Sequence, residues 1–207
     1  GRRPVVILPG FPTSAIFTFH EFVAPVLRAM GGLPPDRRES VQAQLAQKCV
    51  SERGRLEYLL VGLVAREQGG LAAWPMGKGS GSVTSFSRAD GFVRIGRNTE
   101  IVEVDSPVEV TLLGHELPVA DLVVIGSHCA GLDLIASALS REGLRCKLLA
   151  VGSTAGLAAV RRGECDVAPI HLLEPQSGRY NEPFLEPGMR LLPGYRRMQG
   201  VVTRMDE

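Results

Sequence analysis

The sequence predicts a mixed α/β and β fold in three pieces: a strand-helix remnant, a small β-barrel or sandwich, and half of a parallel α/β domain. Three observations carry that reading. A continuous apolar run at residues 5–8 is broken by Pro9-Gly10-Phe11-Pro12, as at the end of a buried parallel strand. After Pro34-Pro35-Asp36-Arg37-Arg38 the apolar period changes from helical to two residues. From Ala120 onward, short apolar runs alternate with helical patterns, which implies parallel strands joined by crossover helices.

The helix after the first turn has Thr13 or Ser14 available as its cap. Ile16, Phe19, Val23, Val26, Leu27 and Met30 recur at helical spacing, and Gly31-Gly32 closes it. Pro25 should kink or interrupt this helix, because it lacks an N–H and its ring crowds the preceding turn. Next, Val41, Ala43 and Leu45 alternate with Gln42 and Gln44, while Val108, Val110 and Leu112 alternate with Glu109 and Thr111, as half-buried strands do. Further strands are expected at 56–64, 82–86 and 92–95, with glycine-containing turns between them, so that residues 40–113 form an all-β unit. Beyond it, strands are expected at 122–125, 147–151 and 166–170, with helices at 132–139 and 155–162. A Pro- and Gly-punctuated stretch follows, with one more strand at 200–204.

Composition narrows the function. A chain of 207 residues, 44% of them hydrophobic, can bury a sizeable core. Its 23 Lys and Arg against 22 Asp and Glu leave a net charge of +1, no electrostatic footprint for nucleic acid or an acidic membrane. The apolar run at 5–8 is too short for an export signal or a membrane span; with no initiator Met before it, the natural chain is expected to start upstream. Cys49, Cys129, Cys146 and Cys165 are widely spaced, form no Cys-x-x-Cys pair and have no His at zinc-ligand spacing. They read as reduced thiols of a cytoplasmic protein, and no metal site is expected from them.

Two kinds of turn carry candidate chemistry. Leu8-Pro9-Gly10-Phe11-Pro12-Thr13-Ser14-Ala15 feeds a strand end into a helix start, where exposed N–H groups favour an anion; the same residues also describe an ordinary strand-to-helix turn. The pattern Leu-Pro-Gly-x-Pro-x-Ser-Ala before an aromatic-rich helix resembles the end of the molybdopterin-binding domain of the molybdopterin molybdenumtransferase family. Gly54-Arg55-Leu56-Glu57-Tyr58, Gly79-Ser80-Gly81-Ser82 and Ala89-Asp90-Gly91 resemble, in order, landmarks of the β-barrel that follows in that family. The resemblance covers residues 4–113. It implies that Pro9, Gly10, Pro12, Thr13 and Ser14 border the pterin-nucleotide cleft of a molybdenum insertase. Such an enzyme places molybdate on adenylylated molybdopterin, with Mg²⁺ neutralising phosphate, and is expected to be a homodimer. Phe11 departs from the Asn usual between the two prolines and removes that side chain's hydrogen bond. The family's phosphate- and metal-handling segments lie upstream of this turn, so this chain alone is expected to be inactive in insertion.

The second kind of turn occurs twice, as Ile125-Gly126-Ser127-His128-Cys129 and Val151-Gly152-Ser153-Thr154-Ala155. In a parallel sheet both would open on one crevice, offering hydroxyls and N–H groups to an oxyanion; plain N-capping by Ser and Thr is the alternative. Arg162-Gly163-Glu164-x-Asp166-Val167-Ala168 after the second helix resembles the first lobe of periplasmic-binding-protein-like domains. The run from His171 to Asn181 resembles the variant fused to molybdenumtransferases. The ligand residues so implied are Ser127, His128, Ser153, Thr154 and His171. Cys129 beside His128 is not expected to be a nucleophile, since neighbouring side chains diverge and no orienting Asp is indicated.

Three domains are therefore expected: residues 1–33, the end of a molybdopterin-binding α/β domain; 34–116, a C-terminal β-barrel-like domain; and 117–207, an incomplete first lobe of a binding-protein-like domain. The partner is a molybdopterin-type ligand or small oxyanion, with neither nucleic acid nor membrane. The rival reading is a non-catalytic sensor or binding module for molybdate, tungstate or the finished cofactor; a third is a scaffold whose clefts are relics.

Overall fold

The computed structural model describes residues 3–36, 38–77, 83–114, 117, 119–192 and 194–195. The chain forms two compact units, Gly1–Ile170 and His171–Glu207.

The centre of the first unit is a barrel. Its segments are β1 (Ser40–Leu45), β2 (Cys49–Val50), β3 (Glu57–Ala65), β4 (Leu71–Pro75), β5 (Gly91–Ile95), β6 (Ile101–Val102) and β7 (Pro107–Leu112). Five of them close in the order β1-β4-β3-β5-β7, with β7 returning to β1 (Val41 opposite Val110). Neighbours are antiparallel except β1 and β4, which pair in parallel at Gln44–Ala72 and Leu45–Ala73. Leu45, Val61, Ala73 and Val110 fill the interior. Strands β1 and β7 alternate in burial because one face meets solvent.

Strand β4 was not expected. Ala72, Ala73 and Trp74 are all buried, since one face lines the barrel and the other packs on the α/β half. A strand covered on both faces shows no alternation, and Leu-Ala-Ala-Trp has little β-branching to mark it. The expected strand at 82–86 is corrected in turn: Ser82 lies outside the described residues, and Val83–Arg88 is a short helix, α3 in chain order. Its Phe86 joins an aromatic cluster on the barrel with Phe17 and Phe92.

Before the barrel, α1 (Pro12–Thr18), a π-helical turn (Phe19–Val23) and α2 (Ala24–Met30) form one interrupted helix. The wide turn sits just ahead of Pro25, which has no N–H to continue the ladder, and Gly32 ends the helix at φ +66°. Phe11 occupies the cap position with no side-chain hydrogen bond, so neither Thr13 nor Ser14 is the cap. Pro12 starts the helix because its fixed φ is already helical. Phe17 stacks on Tyr58 of the barrel at 4.6 Å, and Arg94 pairs with Glu21. The run 5–8 forms no regular element and pairs with no described strand; Val5 is 84% and Ile7 90% exposed. Apolar sequence alone does not make a buried strand where no partner strand lies alongside.

The α/β half comprises β8 (Leu122–Gly126), α4 (Ala130–Arg141), β9 (Cys146–Ala150) and α5 (Ser153–Arg161). Strands β8 and β9 are parallel, from Leu122–Cys146 to Gly126–Ala150. The strand expected at 166–170 reduces to a single parallel bridge, Val124–Val167. The segment does lie along β8, for Ile125 and Ser127 donate to the carbonyls of Val167 and Pro169 at 3.1 and 2.8 Å. Pro169 has no N–H to return, which limits the ladder.

In the second unit an antiparallel bridge, Leu173–Tyr180, closes a loop in which Leu172 N–H donates to Asn181 Oδ1 at 2.9 Å. The Glu174 carboxylate accepts N–H groups of Gln176 and Ser177; hydrogen bonding from the Ser177 side chain first, then from these two N–H groups, holds it below its usual pKa. The strand expected at 200–204 and the landmark 79–82 lie outside the described residues.

Candidate functional site

The in-register pairing of β8 and β9 puts their carboxyl ends on one edge. At that edge the Gly126 carbonyl accepts both Val151 N–H and Gly152 N–H, each at 3.0 Å. Gly152 then turns the chain at φ +88°, a conformation glycine adopts without strain, and α5 begins at Ser153. A Cβ on Gly156 would stand 2.5 Å from the Ile125 carbonyl, so the missing side chain lets α5 lie directly on β8.

This arrangement brings Ser127 and Ser153 together: their Oγ atoms are 2.6 Å apart, and Ser153 is only 9% exposed. One hydroxyl donates to the other, so one of the two hydroxyl protons is spent within the pair. Neither serine caps a helix. Cys129 and Gly152 hold the cap positions of α4 and α5, without side-chain cap bonds. Thr154 is exposed on the first turn of α5. His128 is also exposed, and its Nε2 lies 2.9 Å from Asp133 Oδ2 in the first turn of α4. An Asp that orients His128 is therefore present, against the sequence reading; it became visible only when the turn folded back on the helix. Burial pushes the Cys165 thiol up to about 11, which keeps it protonated and unreactive.

Ser153 and Thr154 line an open cleft of about 400 Å³ with Gln47 and Trp74 of the barrel and Arg162 at the end of α5. The guanidinium of Arg162 lies 5.4 Å from the Trp74 ring centre and grips Glu164 through two hydrogen bonds of 2.8 and 2.9 Å. Sequence reasoning missed all three cleft residues. Arg162 read as a helix end, and Trp74, the chain's single tryptophan, sat in a strand that was not recognised.

The first turn is differently placed. Pro9, Gly10 and Pro12 are exposed, Thr13 and Ser14 half-buried, and a Cβ on Gly10 would meet nothing within 4 Å. Thr13 Oγ1 is buried with no partner among the described residues. His171 is exposed at the start of the second unit. Among the described residues, no group of three or more His, Cys, Asp or Glu side chains is placed to hold a metal ion, and no helix is long and apolar enough to cross a membrane.

Comparison with known proteins joins this geometry to two families. Residues 42–113, which make up nearly all of the barrel, match the MoeA C-terminal region (domain IV), and residues 136–207 match the PBP superfamily domain. Over 55 residues the chain is 40% identical to molybdopterin molybdenumtransferase 2 of Mycobacterium tuberculosis, strain CDC 1551 / Oshkosh. That stretch is 27% of this chain and spans 14% of the length of the relative. Among solved structures, a molybdopterin biosynthesis moeA protein from Pyrococcus horikosii has 40% sequence identity and a TM-score of 0.41, covering 53% of this chain and 26% of the other. A molybdenum cofactor biosynthesis protein from Pyrococcus furiosus has 28% identity and a TM-score of 0.42, covering 50% and 36%. The barrel is thus similar over residues 42–113 to the MoeA C-terminal region, and a stretch similar to the PBP superfamily domain follows it in the same chain.

Proposed function

We propose that this chain is part of a protein that inserts molybdate into adenylylated molybdopterin, with an appended domain that binds a small ligand or oxyanion. The observation that carries the first half is the coincidence of the domain IV match, residues 42–113, with a barrel closed by β1 to β7. On this reading residues 1–33 end a molybdopterin-binding domain, 34–116 are its C-terminal barrel, and 117–207 begin a binding-protein-like domain. Pro9, Gly10, Pro12, Thr13 and Ser14 border the pterin-nucleotide cleft in a homodimer. The buried Thr13 hydroxyl, without a partner among the described residues, has a hydrogen bond to give there. Molybdopterin, molybdate and Mg²⁺ belong to the intact protein, in the cytoplasm, where the metal ion would neutralise phosphate.

The second half is supported by the Ser127–Ser153 edge. Ser153 and Thr154 bring N–H groups and hydroxyls to the start of α5, with the Ser127 hydroxyl against Ser153 and His128 next to it in the turn after β8. The same edge favours the second reading, a sensor of molybdate, tungstate or the finished cofactor that catalyses nothing. Isothermal titration of the 207-residue chain and its Ser153→Ala variant with molybdate, tungstate and molybdopterin tests the edge. Binding by the native chain, weakened roughly 10-fold or more by the substitution, is expected from loss of a hydrogen bond to a charged group. Equal affinity of both chains for all three probes overturns it. Molybdate insertion by the protein in its natural length, against none, separates the insertase from the sensor.

A further inference from the structure

The barrel and the α/β half are joined by one continuous core. Val64, Ala72 and Trp74 on the outside of the barrel pack with Ile125, Leu149 and Ala159 in a single buried cluster. Leu149 seats where the barrel has no side chain: a Cβ on Gly62 would lie 2.7 Å from Leu149 Cδ2.

Polar groups lock the contact at both ends. At one end Lys147 of β9 donates to the Leu63 carbonyl at 2.6 Å and pairs with Asp90, whose carboxylate also accepts Leu63 N–H at 2.6 Å. At the other, Glu164 is 1% exposed in its side chain; Arg162 holds it, and Arg66 of the barrel approaches to 3.4 Å. Glu67 N–H donates to the Gly163 carbonyl at 3.0 Å in the same place. Separating the two parts would break the Lys147–Asp90 pair and the Arg66–Glu164 contact and would expose the shared apolar cluster, whose burial is the main attraction between them.

We propose that the barrel and the α/β half fold and move as one rigid body, so that the Ser127–Ser153 edge is a fixed jaw attached to the barrel. The connection between β7 and β8 is then no hinge, although it is where a domain boundary falls by sequence. The end of α5 is tied to the barrel through the Arg162–Glu164–Arg66 cluster and the packing of Ala159 with Trp74.

Native-state hydrogen exchange on the whole 207-residue chain, without ligand, tests this. In native protein under increasing denaturant, the slowest amides of β3 and β8 should merge into one common opening. Leu149→Ala, a change wholly in the α/β half, should speed exchange in β3 and β8 together, on the order of 100-fold. Leu149→Val should do the same by roughly 10-fold if the larger truncation does not fold. Separate openings in the native chain, or faster exchange in β8 and β9 with β3 unchanged, overturn the proposal. Since no ligand is present, either result leaves the binding reading standing.

Discussion

Two turns of similar local design meet different fates in this molecule. The Pro9–Ser14 turn and the Gly152–Thr154 turn each lead into a helix through Gly and Ser or Thr. The first has Pro9, Gly10 and Pro12 exposed and follows a run that pairs with no described strand, while the second is seated on β8, shares a hydrogen bond with Ser127 and opens on a cleft walled by the barrel. The difference teaches that a strand-to-helix turn acquires a geometry fit for recognition when a neighbouring strand delivers a second turn to the same edge. Local sequence supplies the donors, but adjacency sets their separation and burial.

The sharpest way to break this comparison is to fill the two glycines. Gly156→Ala would place a methyl against backbone of β8 that cannot yield without moving a strand, and about 2–4 kcal/mol of stability should be lost. Gly10→Ala meets open space, and a change within about 0.5 kcal/mol is expected. Urea denaturation of both variants decides it; equal losses would mean that the second turn is no better seated than the first.

The ion pairs of the two regions should differ next. Glu164→Gln leaves Arg66 and Arg162 facing each other in a largely buried site, which should cost about 2–4 kcal/mol. Glu21→Gln removes only the partner of Arg94 on a half-exposed helix, and less than about 1 kcal/mol should follow. Thermal midpoints at low and high salt would sharpen the contrast, because only the Glu21 pair should weaken with ionic strength.

The smallest effect concerns the hydroxyl pair. A double-mutant cycle of Ser127→Ala and Ser153→Ala should return a coupling of about 0.5–1.5 kcal/mol, the net worth of one partly buried hydrogen bond. Coupling near zero would show that the two hydroxyls meet by proximity and contribute nothing to holding the edge.

Much was legible from residue order, for stated reasons. The alternation in β1 and β7, the strands β8 and β9 and the helices between them follow from apolar periods of 2 and 3.6, which local chemistry imposes wherever one face is wet. The pairing of Ser127 with Ser153 was approachable because parallel strands with crossovers present their ends on one edge. Asp133 beside His128, and Arg162 beside Trp74, were not, because neither contact has a signature in spacing.

By itself the sequence determined that this chain has a helix near its start, a β unit and an α/β half, and which turns carry hydroxyls and glycines. Only the tertiary structure decided that β4 exists, that residues 5–8 find no described partner strand, and that the barrel's outer face is the floor of the cleft beside Ser153. The physical reason is the same in each case. Period reports burial on one face of one segment, whereas Ala72–Trp74 are buried on both faces by elements distant in the chain, and an apolar run becomes a strand only when another strand supplies its hydrogen bonds.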